Sequence, residues 1–383
     1  MDPTRTAIGT WSGGRFMHFG EPLDDDRLTA LLRPGDGIDT VITADAYGAG
    51  EADLALGRAL DGVHRDSYCL VGAIGHDFYE GEREGAKGYP RFTDRRLRSE
   101  SDYADYIRMA TERSLERCGV ERFDLLLLHN PDRIGYSSAA VWDGLHAVRE
   151  AGLTDALGVA PGPANGFTLD LIDCLERFAA LIDWAMVILN PLEPWPGELV
   201  LDAARACDVG LITRVVDYGG LFHDDVLAGH SFAPHDHRKF RPQGWVEAGR
   251  EKLELMRPYA RRHGLTMLQL ACAWNLAQPP VRCVAPTLIQ ESGPTQPSGL
   301  CAPPRAIEDK RAELAALDGA PLSAAEVAEI RAIGENAGCM TLKGASVEHE
   351  GPALADRWGL DEELSAVAGR WGIDPAAQLV AAG

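Results

Sequence analysis

The most constraining feature of this 383-residue sequence is the repeated alternation of short, β-rich apolar runs with stretches of helical spacing. In the runs, apolar side chains occupy consecutive positions, which is typical of strands buried on both faces. The predicted strands are residues 38–44, 68–74, 123–129, 154–159, 184–190, 209–215 and 281–285. The predicted helices are residues 50–60, 102–118, 138–151, 168–180, 197–207, 246–263, 266–277, 305–317 and 323–334. Regular alternation of strand and helix indicates a parallel sheet in an α/β fold.

The number of strands favours a closed barrel over an open sheet. Seven strands are clear, and weaker segments leave room for the eighth strand that a (β/α)8 TIM barrel requires. No Gly-x-Gly-x-x-Gly follows the first predicted strand, which argues against a doubly wound dinucleotide-binding fold. We therefore predict a (β/α)8 TIM barrel with extended loops at the strand ends, among them a long polar loop at 216–245.

The barrel is predicted to occupy residues 1–339, followed by a C-terminal helical tail over 340–383. The tail contains Trp358 and Trp371, each in an Arg-Trp-Gly triplet, on either side of a helical stretch. A tryptophan ring carries a large apolar surface that is usually buried. We expect the tail to pack on the barrel or on a partner subunit, and the second arrangement would make the protein a homo-oligomer.

Composition and charge exclude several classes of function. Lys and Arg total 37 against 58 Asp and Glu, a formal net charge of −21 at pH 7. Such a chain repels nucleic-acid phosphates and anionic lipids, so we expect neither a nucleic acid nor a membrane as partner. The sequence has no apolar run of the roughly 20 residues needed to span a bilayer, its start lacks signal-peptide features, and its eight cysteines include no Cys-x-x-Cys pair. These features predict a cytoplasmic protein that acts on a small molecule.

Three motifs, in order along the chain, resemble those of the aldo-keto reductase superfamily. Residues 42–60 (ITADAYGAGEADLALGRAL) resemble its Asp-Thr-Ala-x-x-Tyr-Gly stretch, residues 123–132 (FDLLLLHNPD) the strand that carries its histidine, and residues 263–286 its penultimate helix and last strand. Gly9-Thr10-Trp11 also fits the family pattern. The resemblance implies a (β/α)8 barrel that reduces carbonyl groups with NADPH, using a tetrad of Tyr, Lys, Asp and His at the C-terminal face.

Carried over residue by residue, the resemblance retains half of this tetrad. The tyrosine falls on Tyr47 and the histidine on His129, but Ile42 stands at the aspartate position and Ala73 at the lysine position. A tyrosine has an ordinary pKa of about 10 and becomes a good proton donor beside a cation that stabilises its anion. Replacing both ionic partners removes a balanced ion pair, which is the pattern expected of a stable site with a changed function.

The segments that hold the nicotinamide cofactor in the family also differ here. Ala160-Pro161 occupies the position of the family's Ser-Asn clamp for the carboxamide, although Asn190 is retained. Residues 213–217 and 286–290 likewise depart from the family's cofactor-contacting runs. We therefore predict an enzyme that requires no cofactor, with use of NADP as the alternative.

Polar residues at the predicted strand ends supply further candidates, since the active site of such a barrel lies there. His76 could act as a general base, or could be a loop histidine bonded to Asp77 or to solvent. Arg214 replaces an aromatic residue of the family and could stabilise a tyrosinate or an enolate oxygen, with Lys87 and Arg91 as alternative cations. The predicted catalytic residues are Tyr47, His129, His76 and Arg214, and the predicted substrate-binding residues are Trp11, Asn130, Asn190, Asp217, Tyr218 and Arg238.

Histidines in the polar loop raise the question of a metal site. His235 and His237, with His223 upstream, are spaced so that the rings of the pair could face one ion. The loop aligns with the substrate loop of the family, and this favours a surface cluster that binds no metal. No metal site is predicted.

Three functions remain open at this point. The favoured one is redox-neutral acid/base chemistry, meaning elimination, dehydration or isomerisation beside a carbonyl group of a small, polar, sugar-like molecule. Tyr47 and His129 would move protons, with His76 as a third candidate, while Arg214 would stabilise the developing oxyanion. The first alternative is an NAD(P)H-dependent carbonyl reductase or alcohol dehydrogenase with a rewired proton donor. The second is a catalytically silent barrel used for binding or regulation.

Overall fold

The computed structural model of the protein describes residues 1–83, 88–162, 167–241, 243–292, 304–319, 321–336 and 360–379. Within these ranges, parallel strands form one sheet in chain order. They are β1 Ala7–Gly9, β2 Thr40–Ile42, β3 Cys69–Ile74, β4 Phe123–His129, β5 Thr154–Ala160, β6 Trp184–Ile188, β7 Gly210–Arg214 and β8 Val281–Ala285. The two ends of the sheet meet, because Val284 donates a backbone hydrogen bond of 2.9 Å to Arg5 and bridges Thr6 in parallel. The fold is therefore a (β/α)8 TIM barrel, as the sequence predicts.

Every strand predicted from an apolar run is present, and one further strand completes the ring. β4 covers the whole of the predicted segment 123–129. The strand that the sequence left undefined is β1, whose three residues are too few to show a periodicity. Strand identity thus follows from the apolar runs, whereas closure of the barrel depends on a segment with little local signal.

The helices surround the barrel, and those predicted from helical spacing are present. They are α1 Asp25–Leu32, α2 Glu51–Leu60, α3 Tyr103–Cys118, α4 Arg133–Ser137, α5 Ala139–Glu150, α6 Thr168–Arg177, α7 Leu201–Ala206, α8 Trp245–His263, α9 Met267–Leu276, α10 Ile307–Ala315, α11 Ala324–Ile333, α12 Glu362–Trp371 and α13 Pro375–Gln378. Helices α1, α4 and α13 are not predicted from the sequence, because eight residues or fewer span about two turns and show little periodicity.

Side chains alternate between the barrel interior and the surrounding helices along each strand. Leu127 of β4 and Ile212 of β7 belong to a buried cluster of strand residues inside the barrel, whereas Leu126 and Leu211 belong to the cluster shared with the helices. His129 and Arg214 each follow an interior residue by two positions. Both side chains are therefore directed to the interior at the C-terminal mouth of the barrel.

The described part of the C-terminal tail packs on the barrel of the same chain. Leu364 and Val367 of α12 are buried in the cluster that also holds Leu171 of α6. The indole nitrogen of Trp371 donates a hydrogen bond of 2.9 Å to Glu176. Residues 340–359, with Trp358, lie outside the described residues, and assembly through the tail stays a prediction.

Two general properties of the described ranges bear on the class of protein. No helix within the described ranges has both the length and the apolar character needed to cross a membrane. The cysteines they contain are unpaired, at positions 69, 118, 174, 207, 272 and 283. Cys301 and Cys339 lie outside the described residues.

Candidate active site at the mouth of the barrel

Tyr47 lies at the barrel mouth because the chain turns sharply after β2. The backbone amide of Tyr47 donates a hydrogen bond of 3.0 Å to the carbonyl of Ala44, two residues beyond the end of the strand. A single 3-10 turn follows, in which Gly48 has a φ of 60°, a conformation that strains residues with a Cβ. The turn leads into α2 and leaves the Tyr47 ring packed against the apolar interior of the barrel.

Three predicted catalytic side chains converge beside the end of β4. His129 is the last residue of that strand, and the next residue, Asn130, has a φ of 47° and donates its amide to the carbonyl of Ala160 over 2.7 Å. The rings of Tyr47 and His129 meet edge to face with centroids 5.5 Å apart. The rings of His76 and His129 do the same at 5.4 Å. The structure thus assembles residues that lie 82 positions apart in the sequence.

The environment of His129 keeps its imidazole neutral. Burial lowers the pKa of His129 well below its ordinary value, and His76, Arg214 and Arg91 add to the effect. Its Nδ1 atom is buried and has no hydrogen-bond partner among the described residues. A neutral imidazole with a free ring nitrogen can donate to, or accept from, an oxygen of a bound molecule.

His76 has a supporting position in this arrangement. Its Nδ1 lies 2.8 Å from the carbonyl oxygen of Tyr89, which can only accept, so that nitrogen carries the proton. Its Nε2 lies 3.1 Å from the side-chain nitrogen of Asn130, which donates to it. Asp77, the alternative partner suggested by the sequence, pairs instead with Arg98. Both nitrogens of His76 are engaged, and a general-base role would require one of these bonds to break.

We expect His76 to make the fold sensitive to acid. Burial, with Arg91 nearby, lowers the pKa of His76 from 6.5 to about 4, so below pH 6.5 the unfolded chain binds its proton more readily than the folded one. The stability contributed by neutral His76 is present at pH 7 and is lost as pH falls from 6.5 to 4. Between pH 7 and pH 5, this loss amounts to about 2 kcal/mol.

The variant His76→Asn tests this expectation, because its amide can still donate to the Tyr89 carbonyl but does not titrate. Urea unfolding measures the free energy of unfolding at pH 7 and at pH 5. The decrease between the two should be about 2 kcal/mol smaller in the variant than in the wild type. His64→Asn is the matched control at an exposed histidine and should behave as wild type. Equal acid losses in wild type and His76→Asn would contradict the assignment.

Arg214, the last residue of β7, brings a cation to the same site. One guanidinium nitrogen donates hydrogen bonds of 3.1 and 3.0 Å to the carbonyls of Pro161 and Gly162, at the end of β5. Among the described residues, no carboxylate lies within ion-pair distance of it. Burial raises the pKa of Tyr47, and the charge of Arg214 opposes that rise. Arg214 therefore supplies positive charge near the tyrosine, as a lysine does in the related tetrad.

The two vacated tetrad positions form an apolar wall. Ile42 and Ala73 are buried, with 1% and 4% of their surfaces exposed, in the interior cluster. Trp11, two residues beyond β1, belongs to the same cluster and is 8% exposed. The predicted substrate-binding residue Trp11 thus lies with these two replacements, and no charge is buried in place of the lost ion pair.

Asn190 and Asp217 fix the backbone around Arg214. Asn190 donates a side-chain hydrogen bond of 3.0 Å to the carbonyl of Val215 and accepts one of 2.9 Å from the amide of Leu192. Val215 has a φ of 58°, which is costly for a β-branched residue, so this contact holds a strained turn directly after Arg214. Asp217 accepts from the amide of Thr287 over 2.7 Å and thereby ties the loop after β7 to the loop after β8. These two predicted substrate ligands shape the mouth through the backbone.

Tyr218 and Arg238 are held within the loop that follows β7. Arg238 donates hydrogen bonds to Asp236, to Glu291 and to the carbonyl of Gly219, and these bonds engage all three of its nitrogens. It is 2% exposed, so in this structure it holds the loop together, and its role in substrate binding stays a prediction. Tyr218 lies beneath the guanidinium of Arg241, whose carbon is 4.3 Å from the ring centroid.

The loop histidines are spread over different contacts. Buried His223 bonds to the carbonyl of Thr287 over 2.9 Å, whereas His235 and His237 pack against His18 with centroids 5.8 and 5.5 Å apart. No group of three or more His, Cys, Asp or Glu within the described ranges is arranged to hold a metal ion.

The structure adds residues that sequence reasoning missed or left as alternatives. Arg91 bridges His76 in the backbone and donates a side-chain hydrogen bond of 2.7 Å to the carbonyl of Asn130, whereas Lys87 lies outside the described residues. Asp45 is fully buried, and neither carboxylate oxygen has a partner among the described residues. Burial, with Asp53 nearby, raises the pKa of Asp45 well above its ordinary value. Its place two residues before Tyr47 was the signal that could have drawn attention to it.

Comparison with known proteins defines the class to which this fold and site belong. The model of the Aldo/keto reductase family matches residues 7–335. D-threo-aldose 1-dehydrogenase of a Pseudomonas species is 30% identical over 175 residues, which cover 42% of this chain and 53% of that enzyme. Aldo-keto reductase YhdN of Bacillus subtilis strain 168 is 24% identical over 287 residues, 73% of this chain and 79% of that protein. The first match thus spans about half the length of the relative.

Solved structures agree on the fold. The glycerol dehydrogenase AKR11B4 from Gluconobacter oxydans has a TM-score of 0.65 at 22% identity, covering 87% of this chain and 92% of its own. The aldo-keto reductase AKR11C1 from Bacillus halodurans, in its holo form, has a TM-score of 0.59 at 19% identity, with coverages of 86% and 92%. The chain belongs to the aldo/keto reductase family.

Proposed function

We propose that this protein is an oxidoreductase that interconverts a carbonyl and a hydroxyl group on a small polyhydroxylated, sugar-like molecule. The observation that carries the proposal is the convergence of Tyr47, neutral His129 and the Arg214 cation at the barrel mouth. The names of the relatives, an aldose dehydrogenase and an aldo-keto reductase, support oxidoreduction. They give no support to the redox-neutral chemistry that the sequence alone favours.

Tyr47 is the proton donor and acceptor in this proposal. Its raised pKa keeps the hydroxyl protonated at neutral pH, ready to give a proton to a carbonyl oxygen as that oxygen gains charge. The nearby guanidinium of Arg214 stabilises the tyrosinate that remains. In the reverse direction the tyrosinate takes the proton from a substrate hydroxyl. His129, as a neutral imidazole, orients the substrate oxygen by a hydrogen bond.

The reaction needs a hydride carrier, and the donor set at the mouth fits the carboxamide of a nicotinamide nucleotide. A carboxamide offers one acceptor oxygen and one donor nitrogen. Two nitrogens of Arg214 have no partner among the described residues, and the carbonyls of Pro161 and Gly162 beside it can each accept a second hydrogen bond. Arg214 would hold the carboxamide oxygen and the two carbonyls its nitrogen. When bound, the nucleotide supplies or accepts the hydride.

Steady-state assays test the proposal. Purified protein should convert NAD⁺ or NADP⁺ to the reduced form, followed by absorbance, with at least one member of a panel of aldoses and small polyols. His129→Asn should lower kcat/KM about 100-fold, because the substrate oxygen loses an orienting bond. His64→Asn, at an exposed histidine, is the matched control and should leave kcat/KM unchanged. Unchanged turnover in His129→Asn would show that His129 does not orient the substrate oxygen.

Redox-neutral acid/base chemistry is the second candidate, and a specific observation favours it. Ile42 and Ala73 stand where the family resemblance places an ion pair, and the Asn190 amide already bonds to the backbone of Val215 and Leu192. This candidate predicts product formation from a sugar-like carbonyl compound without any nucleotide. Chromatography of reactions run with and without NADP⁺ separates the two candidates.

A further inference from the structure

The positive charge of Arg214 is poorly balanced by its surroundings. Its contacts in the described part of the chain are carbonyl oxygens, which orient the guanidinium without neutralising it. Glu193 is the acidic side chain that influences it most, but that carboxylate also lies 3.8 Å from Arg241. Burial raises the pKa of Glu193 and Arg241 opposes that rise, so Glu193 interacts with both guanidinium groups.

The two groups that meet at the end of β4, Tyr47 and His129, do not balance the charge of Arg214. Tyr47 is protonated and His129 is neutral, for the reasons given above. Arg91 is a second cation, close enough to help lower the pKa of both His76 and His129. Arg214 and Arg91 therefore place two positive charges at the mouth, although the whole chain has a formal net charge of −21.

We propose that Arg214 makes this site bind the reduced form of a nicotinamide nucleotide more tightly than the oxidised form, and so shifts the equilibrium between the enzyme-bound complexes toward oxidised substrate. The inference rests on the proposed function. The oxidised nicotinamide ring carries a positive charge and the reduced ring is neutral. The carboxamide is bonded directly to that ring, so a guanidinium that holds the carboxamide repels the oxidised form at close range.

The ratio of the two dissociation constants isolates this effect. The phosphates, riboses and adenine are identical in the two nucleotides, so their contacts cancel in the ratio. Repulsion between unit charges a few ångströms apart at a partly exposed site corresponds to about a tenfold change in binding or more. Tighter binding of the reduced form shifts the equilibrium on the enzyme toward hydride transfer from substrate to nucleotide, because the bound oxidised nucleotide is destabilised.

Calorimetric titration of the full-length protein with NADP⁺ and with NADPH tests the proposal without any substrate. In the wild type, NADP⁺ should bind at least about tenfold more weakly than NADPH. Arg214→Gln keeps a hydrogen-bond donor but removes the charge, and its ratio should fall to about one. Arg214→Lys keeps the charge and should retain most of the wild-type ratio.

The outcomes separate this inference from the proposed function. Binding of neither nucleotide to the wild type overturns both. Equal binding of the two nucleotides to the wild type leaves the oxidoreductase proposal standing and overturns the bias. A preference for NADPH that survives in Arg214→Gln also overturns it, because the preference would then come from another group. Near-UV circular dichroism and thermal unfolding establish that each variant is folded.

Discussion

The substitution Tyr47→Phe is expected to lower kcat about a thousandfold while leaving nucleotide binding unchanged. The variant removes one oxygen atom from a ring that packs at the barrel mouth, so the packing against His129 and the interior cluster is retained. What is lost is the proton that the hydroxyl exchanges with the substrate oxygen, and a positioned acid or base contributes roughly 100- to 10,000-fold. Steady-state kinetics with the best substrate of the panel, together with calorimetric titration of the nucleotide, measure the two effects separately.

Tyr259→Phe provides the matched control for that substitution. Tyr259 lies on the surface helix α8 and its hydroxyl donates to Glu329 over 2.7 Å, away from the barrel mouth. Its loss should leave kcat within about twofold of wild type. If Tyr47→Phe turned over substrate as fast as Tyr259→Phe, the proton-transfer role of Tyr47 would be excluded, and the hypothesis of a catalytically silent barrel would gain weight.

Ala73→Lys is expected to destabilise the fold by about 3 kcal/mol or more. The side chain at this position is 4% exposed within the apolar interior cluster, so a lysine ammonium there would be buried without a carboxylate partner. Ala73→Met introduces a side chain of similar length without charge and separates the cost of crowding, about 1–3 kcal/mol, from the cost of the charge. Urea unfolding at pH 7 gives both values.

Adding Ile42→Asp to Ala73→Lys should restore part of the stability that Ala73→Lys loses. Each single variant buries one unpaired charge, whereas the double variant restores the ion pair that the family resemblance places at these two positions. We expect the double variant to be more stable than the sum of the single effects predicts, by at least about 2 kcal/mol. Additive effects would show that the two positions are not coupled across the interior, contrary to their place in one cluster.

The fold was largely predictable because parallel barrel strands are apolar on both faces. The run at 123–129 is β4 from end to end, since its centre is four consecutive leucines and its polar Asp124 is buried with partners, among them the Leu70 amide. β1 is different, because three residues carry no periodicity and the strand exists through its pairing with β2 and the bridge of Thr6 to Val284. Closure of the barrel is therefore a tertiary property that a local reading of the sequence does not contain.

The site was predictable where a motif fixes a residue at a strand end and unpredictable where long-range contacts decide its role. Tyr47 and His129 come together as the motifs imply. Arg214 and Arg238 cannot be told apart from the sequence, because both are arginines in or after β7. Only their partners distinguish them, since Arg214 bonds to carbonyl oxygens and Arg238 pairs with carboxylates. His76 likewise depends on the Tyr89 carbonyl, 13 residues away, which no spacing rule indicates.

Deuterium tracing tests the central claim, that hydride passes between the substrate carbon and a nicotinamide nucleotide, most directly. The purified protein is incubated with NAD⁺ and NADP⁺ and with a set of aldoses deuterated at C1, and the nucleotide is then analysed by mass spectrometry. Our account predicts that one deuterium enters the nicotinamide for each sugar oxidised, and that Tyr47→Phe suppresses the transfer. Consumption of a deuterated aldose with no oxidised sugar formed and no deuterium in either nucleotide would contradict the account and show redox-neutral chemistry at this site.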